Sequence, residues 1–148
     1  MEKKYITNSS KQTQKIGEDF AKEILNCADN KQAIIIGLSG NLGGGKTNFL
    51  QGFARGLGIK EKILSPTFVI QKKFSLKKKS FKNFYHIDCY RLKKSKDILE
   101  LDFKETIKDP ENVVAIEWPE KVKIFLPKDK VFIRFEFLDK CKRKIVFQ

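Results

Sequence analysis

Gly40-Asn-Leu-Gly-Gly-Gly45-Lys46-Thr47 satisfies G-x-x-x-x-G-K-[ST] at every fixed position, a spacing that turns consecutive backbone N–H groups inward onto phosphate oxygens. Each residue type has its reason. Gly40, Gly43, Gly44 and Gly45 let the chain turn without a Cβ, Asn41 and Leu42 add N–H groups between them, and Asn48 follows the motif. Lys46 supplies a point charge for the β and γ phosphates, and the Thr47 hydroxyl can ligate Mg2+. The segment Gly40 to Asn48 is therefore a candidate site for the phosphates of a nucleotide.

Phosphoryl transfer also needs a carboxylate to hold the metal or its waters. Asp88 closes the run FYHID and Glu117 closes VVAIE. If these runs are strands of a parallel sheet, both acids project from the carboxyl edge, where such sheets bind ligands. The alternative is an ordinary acid that caps a helix or faces water. Ser65 and Thr67 of SPTF are candidates for a switch segment that meets the γ phosphate, and a turn before a strand would explain them equally. Trp118 reads either as a core aromatic or as a recognition anchor, and His86, the single histidine, points nowhere by itself.

These residues need elements to hold them. AIIIGLSG is a short continuous apolar run, which suits a strand covered on both faces of a parallel sheet. After the glycines, Phe49, Leu50, Phe53, Ala54 and Leu57 recur at helical spacing, and Gly58 stands where a left-handed cap is expected. The phosphate motif thus joins a strand to a helix. Gly52 and Gly56 weaken that helix by up to about 1 kcal/mol each relative to Ala, which predicts close packing against the sheet. Upstream, Ser9 and Gln12 make a capping box for a helix whose apolar face is Ile16, Phe20, Ala21, Ile24 and Leu25, ending near Asn30.

Downstream, TFVIQKKF and FYHIDCY read as two strands joined by a basic turn. The interval Lys72 to Lys82 holds six lysines and no acid. Asp97 to Ile107 has a partial helical pattern, NVVAIEW is a second buried strand, and VFIRFEFL with KIVF forms a closing antiparallel pair. The fold class is α/β, with a mostly parallel central sheet of the P-loop NTPase kind, extended by antiparallel strands and flanked by helices.

A chain of 148 residues accommodates one domain. It carries no apolar run near the roughly 20 residues that span a bilayer, and MEKKYITNSS lacks the centre of a signal peptide, so a soluble cytoplasmic protein is expected. Cys27, Cys89 and Cys141 are scattered and odd in number, so reduced thiols are expected rather than disulfides or a zinc site. The formal charge of +13 favours RNA, DNA or an acidic partner. Only four of the 31 basic residues are arginine, so codon composition is a competing explanation for the lysines.

Taken together, GNLGGGKTNF, SPTF, HIDCYRL and IEWPE resemble, in order and spacing, the TsaE (formerly YjeE) family of small bacterial ATPases. Those proteins serve tRNA threonylcarbamoyladenosine synthesis, and the likeness runs from Thr13 and Gly17 to Glu120. The resemblance implies an ATPase that acts with the TsaB and TsaD proteins on the modification of the adenosine next to the anticodon. It implies hydrolysis of ATP to ADP and phosphate in support of their cycle. Carried over by motif, Lys46 and the loop glycines bind phosphates, Thr47 and Glu117 hold Mg2+, and Asp88 positions the attacking water or the metal shell. Thr67 would belong to a switch, and Trp118 would lie near the nucleotide or partner face.

This chain has Asn41 where the family usually has Asp, and Asn48 where a second Thr usually stands. Neither change removes a backbone donor, so tuning of affinity or rate is expected. A small-molecule P-loop kinase would share the loop. A basic RNA-binding module that binds ATP without significant hydrolysis is the other alternative, using the Lys72 to Lys82 region with Phe74, Phe81 and Phe84 as stacking surfaces.

Overall fold

The runs IIIGLSG and NVVAIE form parallel strands in the computed structural model, which describes residues 2–27, 30–40, 45–64 and 70–148. The strands are β1 (Lys3–Thr7), β2 (Ile34–Gly40), β3 (Gln71–Ser75), β4 (Asn83–Asp88), β5 (Asn112–Glu117), β6 (Val131–Phe137) and β7 (Arg143–Phe147). The helices are α1 (Ser10–Leu25), α2 (Lys46–Gly56) and α3 (Phe103–Lys108), with 3₁₀ segments at Ser95–Leu101 and Pro119–Phe125. The seven strands are hydrogen-bonded in the order β1-β7-β6-β2-β5-β4-β3. By contacts the chain divides into two compact units, one from Met1–Ala28, Ser39–Ser65 and Ile133–Gln148, the other from Asp29–Leu38 and Pro66–Phe132.

In the second unit β5 pairs in parallel with β2 on one side and β4 on the other. Every residue of β5 is buried, which is why its sequence is continuously apolar from Val113 to Ile116 rather than alternating. β3 adds antiparallel to β4, as the two-strand reading of the lysine-rich stretch anticipated. The core gathers Ile35, Ile87, Cys89, Ile98, Phe103, Val114 and Ile116. The predicted helix over Asp97 to Ile107 is broken in two at Asp102, whose φ of 55° cannot continue a helix.

In the first unit β1 pairs antiparallel with β7, and β7 with β6. The Ser9 hydroxyl accepts the Gln12 N–H at 3.1 Å, so the predicted cap is present. The reciprocal bond is displaced by one residue, because Gln12 Oε1 accepts from the Asn8 N–H. α1 stops at Leu25 with Asn26 as its cap, short of Asn30. Its fully buried stripe is Thr13, Gly17, Ala21 and Ile24, narrower and built of smaller residues than the face the spacing suggests.

The small residues have a use. A Cβ at Gly17 would stand 2.2 Å from Phe49 O, one at Gly52 would stand 1.8 Å from Gln14 O, and one at Gly56 would stand 2.6 Å from Glu18 O. The α2 glycines therefore admit α1, not the sheet, and the sequence expectation is corrected on that point. Phe20, Phe49 and Phe147 form an aromatic cluster beside this contact. Helix α2 ends in a Schellman motif: Gly58 has φ 88°, its N–H donates to Arg55 O, and the Ile59 N–H donates to Ala54 O.

Candidate functional site

Both fixed glycines that flank the phosphate motif adopt conformations that an L side chain resists. Gly40 has φ 127° and Gly45 φ 101°, in the range that glycine alone tolerates cheaply. A Cβ at Gly40 would also lie 2.2 Å from the carbonyl oxygen of Phe135. Gly45 is the cap of α2, and its carbonyl accepts the Phe49 N–H at 2.9 Å. Asn41, Leu42, Gly43 and Gly44 lie outside the described residues, as do Ser65 and Thr67.

Lys46 opens α2 and is only 6% exposed. Its Nζ donates to Gly40 O at 2.8 Å, so the ammonium closes the two ends of the motif onto each other. Thr47 is exposed and Asn48 half-buried. The Asn48 amide donates to the Ser10 hydroxyl at 3.3 Å, which ties the first turn of α2 to the first turn of α1. A cavity of about 190 Å3 lies there, lined by Ser9, Ser10, Thr13, Asn48, Lys140 and Arg143 among others. Its walls are three hydroxyls, the amides of Asn8 and Asn48, the Cys141 thiol and two cations, a predominantly polar set. Arg143 is held by its own turn: Nη1 donates to Asp139 O at 2.7 Å, and the guanidinium lies 4.5 Å from the Phe137 ring centroid.

In the second unit the two candidate acids are neighbours. Asp88 and Glu117 are register partners at the ends of β4 and β5, and Glu117 is the partner of Leu38 on β2. Leu38 is followed in the chain by Ser39 and Gly40. Parallel pairing thus puts both acids at carboxyl ends of strands, as the sequence led one to expect. Asp88 Oδ1 accepts the Tyr90 N–H at 2.9 Å, so this carboxylate orders the turn that leaves the strand.

Glu117 is 5% exposed and His86 1% exposed, and His86 Nε2 donates to Glu117 Oε2 at 2.8 Å. Sequence reasoning missed this pair. His86 and Asp88, two residues apart, share one face of β4, a placement that points to Glu117 only once the pairing of β4 with β5 is known. A carboxylate taken out of water needs such a donor. Replacing His86 with leucine is expected to cost about 3 kcal/mol, because Glu117 would stay buried without its partner. Urea denaturation of the two proteins measures it, and a loss below about 1 kcal/mol would show that the carboxylate finds another donor.

Trp118, next in the chain, has φ 58°, a left-handed conformation rare for so large a residue. Its N–H donates to Leu38 O at 3.3 Å, and its ring packs 5.3 Å from that of Tyr90. It is half-buried against the core, so it is neither wholly interior nor wholly free. Lys121 Nζ donates to Tyr90 O and sits over the same ring. Buried Cys89 has its thiol pushed up to about 12 by desolvation, with the neighbouring Asp88 charge adding to it. It is therefore no nucleophile at neutral pH. Cys27, Cys89 and Cys141 are all free thiols.

These donors fit the groups that the motif implies. Gly40 and Gly45 have positive φ angles of the kind that a glycine-rich phosphate motif uses, and the Lys46 ammonium bonds to Gly40 O. Taken singly, the Thr47 hydroxyl and the Glu117 carboxylate are each a hard oxygen donor of the kind that magnesium prefers. Among the described residues no group of three or more His, Cys, Asp or Glu side chains forms a metal cage, and none of the helices is long and apolar enough to cross a membrane.

Comparison with known proteins bears on the family and the fold. The family described as "Threonylcarbamoyl adenosine biosynthesis protein TsaE" matches residues 7–145. The tRNA threonylcarbamoyladenosine biosynthesis protein TsaE of Rickettsia felis is 34% identical over 93% of this chain and 75% of its own length. The TsaE protein of Bacillus subtilis is 33% identical over 83% of this chain and 74% of its own. The crystal structure of YdiB from Bacillus subtilis superposes with a TM-score of 0.72 at 28% identity, covering 99% of this chain and 84% of that one. The loop, the paired strand-end acids and a match over nearly the whole sequence lead to one conclusion: the chain belongs to the TsaE family of tRNA threonylcarbamoyladenosine biosynthesis proteins.

Proposed function

We propose that this protein is a P-loop ATPase that hydrolyses ATP to ADP and phosphate in support of the TsaB and TsaD proteins during tRNA modification. The observation that carries the reading is the motif itself, with its left-handed Gly40 and Gly45 and with Lys46 Nζ at 2.8 Å from Gly40 O. In this reading Lys46 and the N–H groups of Gly40 to Asn48 bind the phosphates. Thr47 and Glu117 would hold Mg2+, which when bound neutralises charge on the β and γ oxygens. Asp88 orients the attacking water or the hydration of the metal, and His86 keeps the Glu117 carboxylate in one orientation. Ser65 and Thr67 act as the switch that senses the γ phosphate, and Trp118 borders the nucleotide or the partner.

Intrinsic turnover is expected to be slow. Arg55 is bonded to Glu18, Arg134 to Glu136, and Arg143 to the Asp139 carbonyl, and Arg91 has contacts of its own; a transition-state arginine supplied by a partner is the usual remedy in switch NTPases. The test is ATP hydrolysis by the purified chain, alone and with TsaB, TsaD and tRNA. Stimulation by the partners with inorganic phosphate as the product supports the reading. Fast turnover alone that the partners leave unchanged counts against gating, and a phosphorylated small molecule would make the protein a kinase. Replacing Glu117 with alanine is expected to lower stimulated turnover by about 100-fold, while ATP affinity, read by fluorescent-nucleotide titration, stays within a few-fold of the parent. Undiminished turnover would remove Glu117 from the mechanism.

A further inference from the structure

The two strands of the lysine-rich region are joined by residues 76–82, closed by the bond from the Leu76 N–H to Lys82 O at 2.8 Å. β3 is the terminal strand of the sheet order, so its outer edge has no strand beside it among the described residues. Lys72, Lys73, Lys77, Lys79 and Lys82 are exposed. Lys72 lies over the Phe74 ring and Lys73 over the Tyr85 ring, so consecutive lysines leave the edge on opposite faces of the sheet. No carboxylate among the described residues forms an ion pair with any of them. The backbone N–H of Lys82 donates to the main-chain carbonyl of Glu111, not to its carboxylate.

The phenylalanines that could have stacked on bases are spent on the core. Phe74 is 6% exposed, and Phe81 and Phe84 are each 0% exposed. What remains outside between Lys72 and Lys82 is positive charge on flexible stems, with no exposed phenylalanine and no arginine fork. That inventory matches phosphodiester oxygens rather than base edges, because lysine recognises phosphate as a point charge and carries no sequence information.

We infer that the edge and tip from Lys72 to Lys82 contact the sugar–phosphate backbone of tRNA without reading its sequence. The inference rests on the tRNA-modification part of the proposed function and not on ATP hydrolysis. RNA is favoured over an acidic protein because the lysines straddle both faces of a narrow edge, as suits a flexible or grooved polyanion. An acidic strand added to β3 would bond to the backbone edge and leave half of them unused.

The test is fluorescence anisotropy of labelled, unmodified tRNA against the full chain over a range of salt. Changing Lys73, Lys77 and Lys79 together to Glu is expected to weaken binding at least about 10-fold at 0.1 M salt and to flatten the log–log salt slope by about 2 to 3. The same three changed to Gln should give a smaller loss with the same flattening, which separates neutralisation from repulsion and from misfolding. A control that reverses exposed Lys104, Lys108 and Lys123 should stay within about two-fold of the parent, and tRNAs of unrelated sequence should bind alike. Equal losses in the tip and control variants, an unchanged tip variant, or competition by polyglutamate but not by tRNA would each overturn the inference. ATP hydrolysis without tRNA should be the same in all variants, so failure of the ATPase reading and failure of this one are told apart.

Discussion

Replacing Lys46 with alanine is expected to weaken MgATP binding by at least about 100-fold, or roughly 3 kcal/mol, the scale of a charge-assisted hydrogen bond removed from a partly enclosed site. Two effects of one sign combine. The ammonium that would neutralise phosphate charge disappears, and so does its 2.8 Å bond to Gly40 O. The second effect concerns only the loop, and it should lower stability by about 1 kcal/mol. Isothermal titration with ATP and a parallel urea melt separate the two. Lys46→Arg should not restore binding, since a planar guanidinium cannot take the place of a compact ammonium beside a backbone carbonyl. Affinity within a few-fold of the parent in Lys46→Ala would sink the phosphate assignment.

Gly52→Ala is expected to destabilise the protein by about 2 kcal/mol or more, although alanine is the better helix former by about 1 kcal/mol. The added methyl would stand 1.8 Å from Gln14 O and 2.5 Å from Gln14 C. A flexible side chain could swing aside, but backbone of a neighbouring helix must move as a body. The first turn of α2, with Lys46 and Asn48, would move too, so nucleotide affinity should fall along with stability. A denaturation midpoint equal to or above the parent's would mean that α1 and α2 are not so closely packed.

Much of this was legible because each signal was local. The strand before the motif, the helix after it and the Gly58 cap follow from apolar periodicity and glycine placement, and all are present. What a glycine packs against is not local: Gly52 and Gly56 announced a close approach, and spacing could not say that α1 was the neighbour. β1 went unseen because four of its five residues are exposed, so KKYIT carries no burial pattern. His86 was passed over for a related reason. A single histidine acquires meaning only when pairing of β4 with β5 brings it to Glu117. The phenylalanines of the lysine-rich stretch could be read as stacking surfaces or as core, and their burial decides for core.

The pairing of β1 has a consequence for how the chain is made. Lys3 pairs with Phe147 and Thr7 with Arg143, so β1 leaves the ribosome well before the strand it pairs with. At a synthesis rate of roughly 5–20 residues per second, β1 waits several seconds at least for that strand. Helix α1 can form during that wait, as its cap and its turns are local, but the sheet edge cannot. Pairings this distant along the chain slow folding. β1 therefore stays unpaired until β7 has been made, and the charges of Lys3 and Lys4 within it discourage pairing with other edges.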